Sequence, residues 1–162
     1  MADIRALQDQ IIRDFQRLED PFDQYTYLLA LSARLPVMSE ERRAALTPVA
    51  GCQSHVWLDV RREGELLVFD ADSDTMLIRG ILCLLQQVLS HQPPAEVAEA
   101  ELDFPEKSGL LLSLSPDRRK GIGSVIETLR LSARQLGRAP GPAAPRPPPP
   151  PAGNGGYAAP PG

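Results

Sequence analysis

A chain of 162 residues, 43% of them hydrophobic, can close one core and has no need of a second. A net charge of -4, with no basic run interleaved with aromatics, argues against nucleic acid as a partner, and no apolar stretch approaches the roughly 20 residues of a membrane span. The opening MADIRALQDQ lacks the basic-then-apolar order of a secretory leader, so the cytoplasm is the expected compartment.

Ile4, Leu7, Ile11, Ile12, Phe15 and Leu18 recur at three- and four-residue spacing among charged residues, which predicts an amphipathic helix. Asp20 before Pro21 supplies a cap and a first-turn proline for a second helix, whose period runs through Phe22, Tyr25, Leu28, Leu29 and Leu35 before Pro36. From Val37 to Ala50 the pattern weakens, and the acidic start Ser39, Glu40, Glu41 supports one short helix before Pro48. Val56, Leu58 and Val60 then alternate with His55, Trp57 and Asp59, and Leu67, Phe69 and Ala71 alternate with Val68 and Asp70. These are two strands, joined as a hairpin through the short, glycine-containing Arg61 to Gly64, and Trp57 reads as a large hydrophobic anchor in the first.

Asp74 can cap the next helix, in which Leu77, Ile81, Leu84, Leu85 and Val88 mark one side while Ile78, Leu82 and Leu89 widen the stripe. Most of that helix should be buried, with Cys83 a packed thiol inside it. After Pro93 and Pro94 come a short acidic helix, about Ala95 to Glu101, and a loop carrying Phe104 and Gly109. Ser115 and Pro116 then set an N-cap hydroxyl before a first-turn proline, opening a last helix marked by Ile122, Val125, Ile126, Leu129 and Leu136. Beyond it the composition turns to proline, glycine and alanine, including the unbroken Pro147 to Pro151, with little apolar surface to offset the entropy of ordering. The expected organisation is one α+β domain over 1–137, a small antiparallel sheet with helices packed on one face, and a disordered tail over 138–162.

Two cysteines, Cys52 and Cys83, are too few for a disulfide framework or a four-thiolate zinc or cluster site, and His55 and His91 stand at no usual ligand spacing with them. No metal is expected. The informative segment is Gly51-Cys52-Gln53-Ser54-His55, a thiol on a glycine-preceded turn just where a strand begins. Glycine permits the positive φ of a tight turn, so the thiol can stand at a loop tip, where a thiolate could attack a sulfane sulfur. A small buried hydrophobe is the other reading of a free cysteine, and spacing alone leaves the two level.

The segment Gly51 to Ser54 resembles the GCQS signature of the SufE family of sulfur acceptors. Tyr25-Thr26-Tyr27-Leu28 with Leu35-Pro36 resembles that family's second helix, Ala71-Asp72-Ser73-Asp74 with Ile78-Arg79-Gly80 its ADSD block, and Leu114-Ser115-Pro116-Asp117-Arg118 with Gly121 its entry to the last helix. The likeness runs from about Ile4 to Leu136, with the motifs in the same order at similar spacing. It implies a SufE-type fold, shared with cluster scaffold proteins. It implies that Cys52 receives sulfur as a persulfide from a pyridoxal-phosphate cysteine desulfurase of the SufS or CsdA type, for iron-sulfur cluster assembly. The chain would then be a sulfur carrier that stimulates the desulfurase, not itself an enzyme and without a cofactor of its own, and a cluster scaffold would receive the sulfur. Gly51, Gln53, Ser54, Asp74 and Arg118 are the residues expected to hold the loop or meet the partner; for Arg118, near a helix start, a carboxylate or a loop carbonyl is the expected counterpart. The alternative is a scaffold-like protein, which would need about three ligands around a cluster where only Cys52 lies at the matching place. His55 stands where the family has glutamine, Arg79 where it has lysine, and Ser113 where many members carry histidine. His55 is expected to be a polar strand residue with no part in activating the thiol.

Overall fold

The computed structural model describes residues 3–138, and the proline-rich stretch beyond them lies outside the described residues. Helix α1 (Ile4–Gln16) is capped by Asp3, which accepts from the Ala6 amide at 2.7 Å, and it buries Ile4, Ile11, Ile12 and Phe15. Helix α2 (Pro21–Ser32) opens on the Asp20 cap, with Leu35 buried just past its end, and α3 (Glu40–Ala45) opens on Ser39. Strands β1 (Val56–Glu63) and β2 (Leu66–Ser73) pair antiparallel with Leu58 opposite Ala71. They extend further than the sequence pattern suggested, so the turn is only Gly64-Glu65, with Gly64 at φ 62 as the first position of a tight hairpin turn requires.

Helix α4 (Met76–Leu89) lies at the centre, packed against α1, α2 and β2, with Ile81, Leu82, Leu84, Leu85 and Val88 all buried. Its approach to α2 depends on Gly80, where a Cβ would lie 2.3 Å from the Leu28 carbonyl oxygen. The chain continues through α5 (Pro94–Glu99), α6 (Phe104–Lys107), a 3-10 turn (Leu110–Ser113) and α7 (Pro116–Arg138), which packs along α5 and touches β1. The region expected as a loop around Phe104 is therefore partly helical. Gln8, almost fully buried, accepts from the Asp103 and Phe104 amides at 2.8 and 3.1 Å and fixes that turn against α1. Phe15, Phe69 and Phe104 are fully buried, each contributing roughly 2 to 3 kcal/mol by removal of apolar surface from water.

The core helices gather on the sheet face that carries Val56, Leu58, Phe69 and Ala71. The opposite face sets Asp59 directly across from Asp70, a like-charge pair that Arg42 of α3 bridges at 2.6 and 3.1 Å while Arg61 also reaches Asp70. Trp57 belongs to this outer face. It is half-buried, with the Arg43 guanidinium 5.1 Å from its ring centroid. The free side of β2 is closed by the last turn of α4 and the chain after it. The Leu67 amide donates to Gln92, the His91 amide to Leu67, the Phe69 amide to the Ser90 hydroxyl, and the Gln86 side chain to the Phe69 carbonyl.

Asp72 and Arg79 form a buried ion pair, their side chains 2% and 13% exposed. Asp72 also accepts from the Met38 amide at 2.8 Å, and Arg79 donates to the carbonyls of Ser32 and Leu35. One pair thus ties β2, α4 and the segment leading from α2 to α3, which is the segment that delivers the chain to Gly51.

Candidate functional site

Gly51 adopts φ 85, and a Cβ there would come 2.8 Å from Ser124 Oγ of α7. Both the backbone conformation and the close approach favour glycine, and together they turn Cys52 inward against α7. The Cys52 thiol is half-buried and donates to the Gly121 carbonyl, 3.4 Å away. Around it Val56, Ile78, Ile122 and Val125 form an apolar wall, with Arg118 at the edge, and the free volume is about 10 Å³. That is about the least that admits one water-sized guest. Gln53 is exposed at the rim.

The next residue clasps the loop. Ser54 Oγ accepts from the Thr75 hydroxyl at 2.8 Å and from Arg118 Nη1 at 3.1 Å, so one hydroxyl joins the loop to the start of α4 and the start of α7. Within the domain Arg118 thus meets a loop hydroxyl in place of a loop carbonyl. Asp74 also departs from expectation. Helix α4 begins one residue later than a cap at Asp74 requires, with Thr75 at the N-cap position and no side-chain cap bond. The Asp74 carboxylate instead accepts from the His55 amide at 3.1 Å and lies 2.8 Å from His55 Nδ1, while the Ser73 hydroxyl donates to the His55 carbonyl at 2.7 Å.

The His55 ring is thus engaged by Asp74 and stacks on Trp57, ring centroids 5.8 Å apart, whereas the thiol looks to Gly121. Burial pushes the Cys52 thiol above its ordinary pKa, so the resting residue is protonated at neutral pH and a poor nucleophile. Asp74 is held below the usual carboxylate range; partial burial opposes the shift, and hydrogen bonds from His55 and Thr75 outweigh it. Cys83 is buried in α4 as expected, its thiol also pushed up by burial.

The structure brings together Gly51, Cys52, Ser54 and Arg118, and it joins Asp74 to His55, the residue after Ser54. Sequence reasoning missed Thr75 and the structural part of Gly121 and Ser124. For Gly121 a signal existed, since a glycine inside a helix costs stability and calls for a packing or functional reason. Among the described residues no three of His, Cys, Asp and Glu stand close enough to hold a metal ion, and no helix is long and apolar enough to cross a membrane.

A family model described as SufE, Fe-S metabolism associated domain, matches residues 9–133. A protein of Rhizobium etli is 34% identical over 134 residues, covering 80% of this chain and 90% of its own length. One of Synechocystis sp. is 35% identical over 134 residues, covering 82% and 84%, and one of Rhizobium meliloti is 35% identical over 137 residues, covering 82% and 96%. All three are described as uncharacterized SufE-like proteins. The solution structure of a hypothetical protein from Thermus thermophilus superposes with a TM-score of 0.68 at 20% identity, over 80% of this chain and 95% of that one, and shares the fold.

Proposed function

This chain belongs to the SufE family, whose domain is one of iron-sulfur metabolism, and from that premise we propose that it carries sulfur on Cys52. The donor is the persulfide of a pyridoxal-phosphate cysteine desulfurase. The Cys52 thiolate attacks the terminal sulfur of that persulfide, forming an Sγ–S bond as the donor's S–S bond breaks. The donor cysteine leaves with the electron pair as a thiolate and takes the proton that Cys52 gave up, so the transfer is neutral in redox terms. Clearing sulfur from the desulfurase quickens its turnover, which makes the protein an activator without catalytic chemistry of its own. A cluster scaffold is the downstream recipient, and the reaction runs in the cytoplasm.

The observation that carries this reading is the setting of Cys52: a single thiol on a clasped loop, beside a pocket of about 10 Å³. Gly51 shapes the loop, Ser54, Asp74 and Arg118 hold it, and Gln53 presents an exposed amide to the partner. Burial keeps the thiol protonated until the loop lifts, so activation is coupled to docking. A cluster scaffold would need more ligands than this site brings together. Incubation with a desulfurase and cysteine, without reductant, should add the mass of one sulfur to the peptide containing Cys52. Cys52→Ser should fold as the parent does, gain no sulfur and fail to stimulate the desulfurase. Full stimulation by that variant would refute the assignment.

A further inference from the structure

Glycine at 51 and at 80 is demanded by the fold, through a positive φ in one case and a backbone contact in the other. Gly121 has neither excuse. It lies within α7, where alanine would favour the helix, and a Cβ built there meets nothing nearer than 3.5 Å. Its three nearest neighbours would all be atoms of Cys52: Cα at 3.5 Å, Sγ at 3.6 Å and Cβ at 3.7 Å. The missing methyl therefore leaves room at the sulfur atom itself, and the thiol already points to that residue's carbonyl.

We infer that Gly121 is a positioning residue for the carried sulfur: its bare Cα leaves beside Sγ a niche for one atom, in which the terminal sulfur of a Cys52 persulfide lodges. The inference rests on the carrier reading of Cys52. The Gly121 carbonyl oxygen, 3.4 Å from Sγ, leaves no room for a second sulfur on the line the thiol proton follows, so the S–S bond turns aside from it into the space beside the bare Cα of Gly121. With an S–S bond of about 2.05 Å, a methyl standing 3.6 Å from Sγ would exclude the terminal sulfur from directions within about 70° of it. Alanine at 121 is thus compatible with the thiol and hostile to the persulfide. The apolar wall of Val56, Ile78 and Val125 keeps competing thiolates away from a sulfur seated there.

Gly123 provides the control, because it lies in the same helix and a Cβ there meets nothing within 4 Å. Gly121→Ala and Gly123→Ala should both melt, in the thiol form, no lower than the parent. Loaded by a desulfurase and cysteine, Gly123→Ala should take up sulfur and hold it against dithiothreitol as the parent does, while Gly121→Ala should load less or lose sulfur about tenfold faster. Equal loading and equal lifetimes for the two variants would overturn the niche. Should Gly121→Ala fold poorly, the parent protein decides: its persulfide form should melt with its thiol form, whereas the Cys52 methyl disulfide made with methyl methanethiosulfonate, one carbon larger, should melt lower. Equal shifts for the two adducts would also overturn it. A parent protein that takes up no sulfur would refute the carrier reading, and the niche with it.

Discussion

Replacing Ser54 by alanine removes the hydroxyl on which both clasps of the cysteine loop converge, those from Thr75 at 2.8 Å and Arg118 at 3.1 Å. Each bond is partly exposed to solvent, so a net value of about 1 kcal/mol apiece is appropriate, and losing both should weaken loop closure by about 2 kcal/mol. At about 1.4 kcal/mol per decade this multiplies the open population by about 30. Cys52 is half-buried, and some reaction from the closed loop will blunt the factor, leaving alkylation by iodoacetamide about 10- to 30-fold faster at a fixed pH. Peptide mass spectrometry gives the rate, with buried Cys83 as the internal reference. The apparent pKa of Cys52 should fall toward its ordinary value of 9.0, because burial is what raises it. A rate within about twofold of the parent protein would refute the view that these two bonds govern access to the thiol.

His55→Gln should leave the pH dependence of Cys52 alkylation unchanged, since the ring faces Asp74 and Trp57, and a shift in that profile would show coupling to the thiol. The same variant should raise the pKa of Asp74, read by carboxyl carbon NMR. The contribution of Asp74 to the folded state is complete above the ordinary carboxylate value of 3.8 and is lost as pH falls from there through its lowered pKa, so the variant should have less of it to lose and should finish losing it at higher pH. Asp72→Ala should cost about 3 to 5 kcal/mol in urea unfolding, because it strands a buried guanidinium and the Met38 amide; a loss under about 1 kcal/mol would contradict the structural weight given to the pair. Gly80→Ala should destabilise by about 2 kcal/mol or more despite the better helix former, as the Leu28 carbonyl must retreat, and a variant as stable as the parent would show that α2 and α4 have slack.

Much of the fold was legible because local chemistry decided it. Ser115 before Pro116 reads as a helix start, and the Arg118 amide does donate to Ser115 Oγ at 3.3 Å. The alternation around Leu58 and Phe69 and the broad stripe of α4 reappear as buried faces. What local reading missed was settled by residues far away in the chain. Asp74 would serve as a helix cap if the His55 amide, 19 residues earlier, did not claim its carboxylate. Arg118 finds its partner 64 residues back, once the loop has folded onto α7. The alternation sets Trp57 with Asp59 on the outer face of its strand, but that Arg43, from another element, covers it there is a long-range fact. At the proposed site, Cys52 was singled out by its motif, whereas the place of Gly121 beside it came from the 3.6 Å that separates its absent side chain from Sγ.

A two-stranded sheet is all edge, and an open edge invites any extended peptide to hydrogen-bond along it, including another copy of the same chain. Here the last turn of α4 and the residues after it have already taken the outward backbone groups of Leu67 and Phe69, two of them through the side chains of Gln86 and Ser90. Strand addition and fibre seeding are therefore blocked along that part of β2 without proline or a bulge. A partner approaching that side of β2 is left to recognise it by the shape and charge of its side chains, because the sheet offers no template at Leu67 and Phe69.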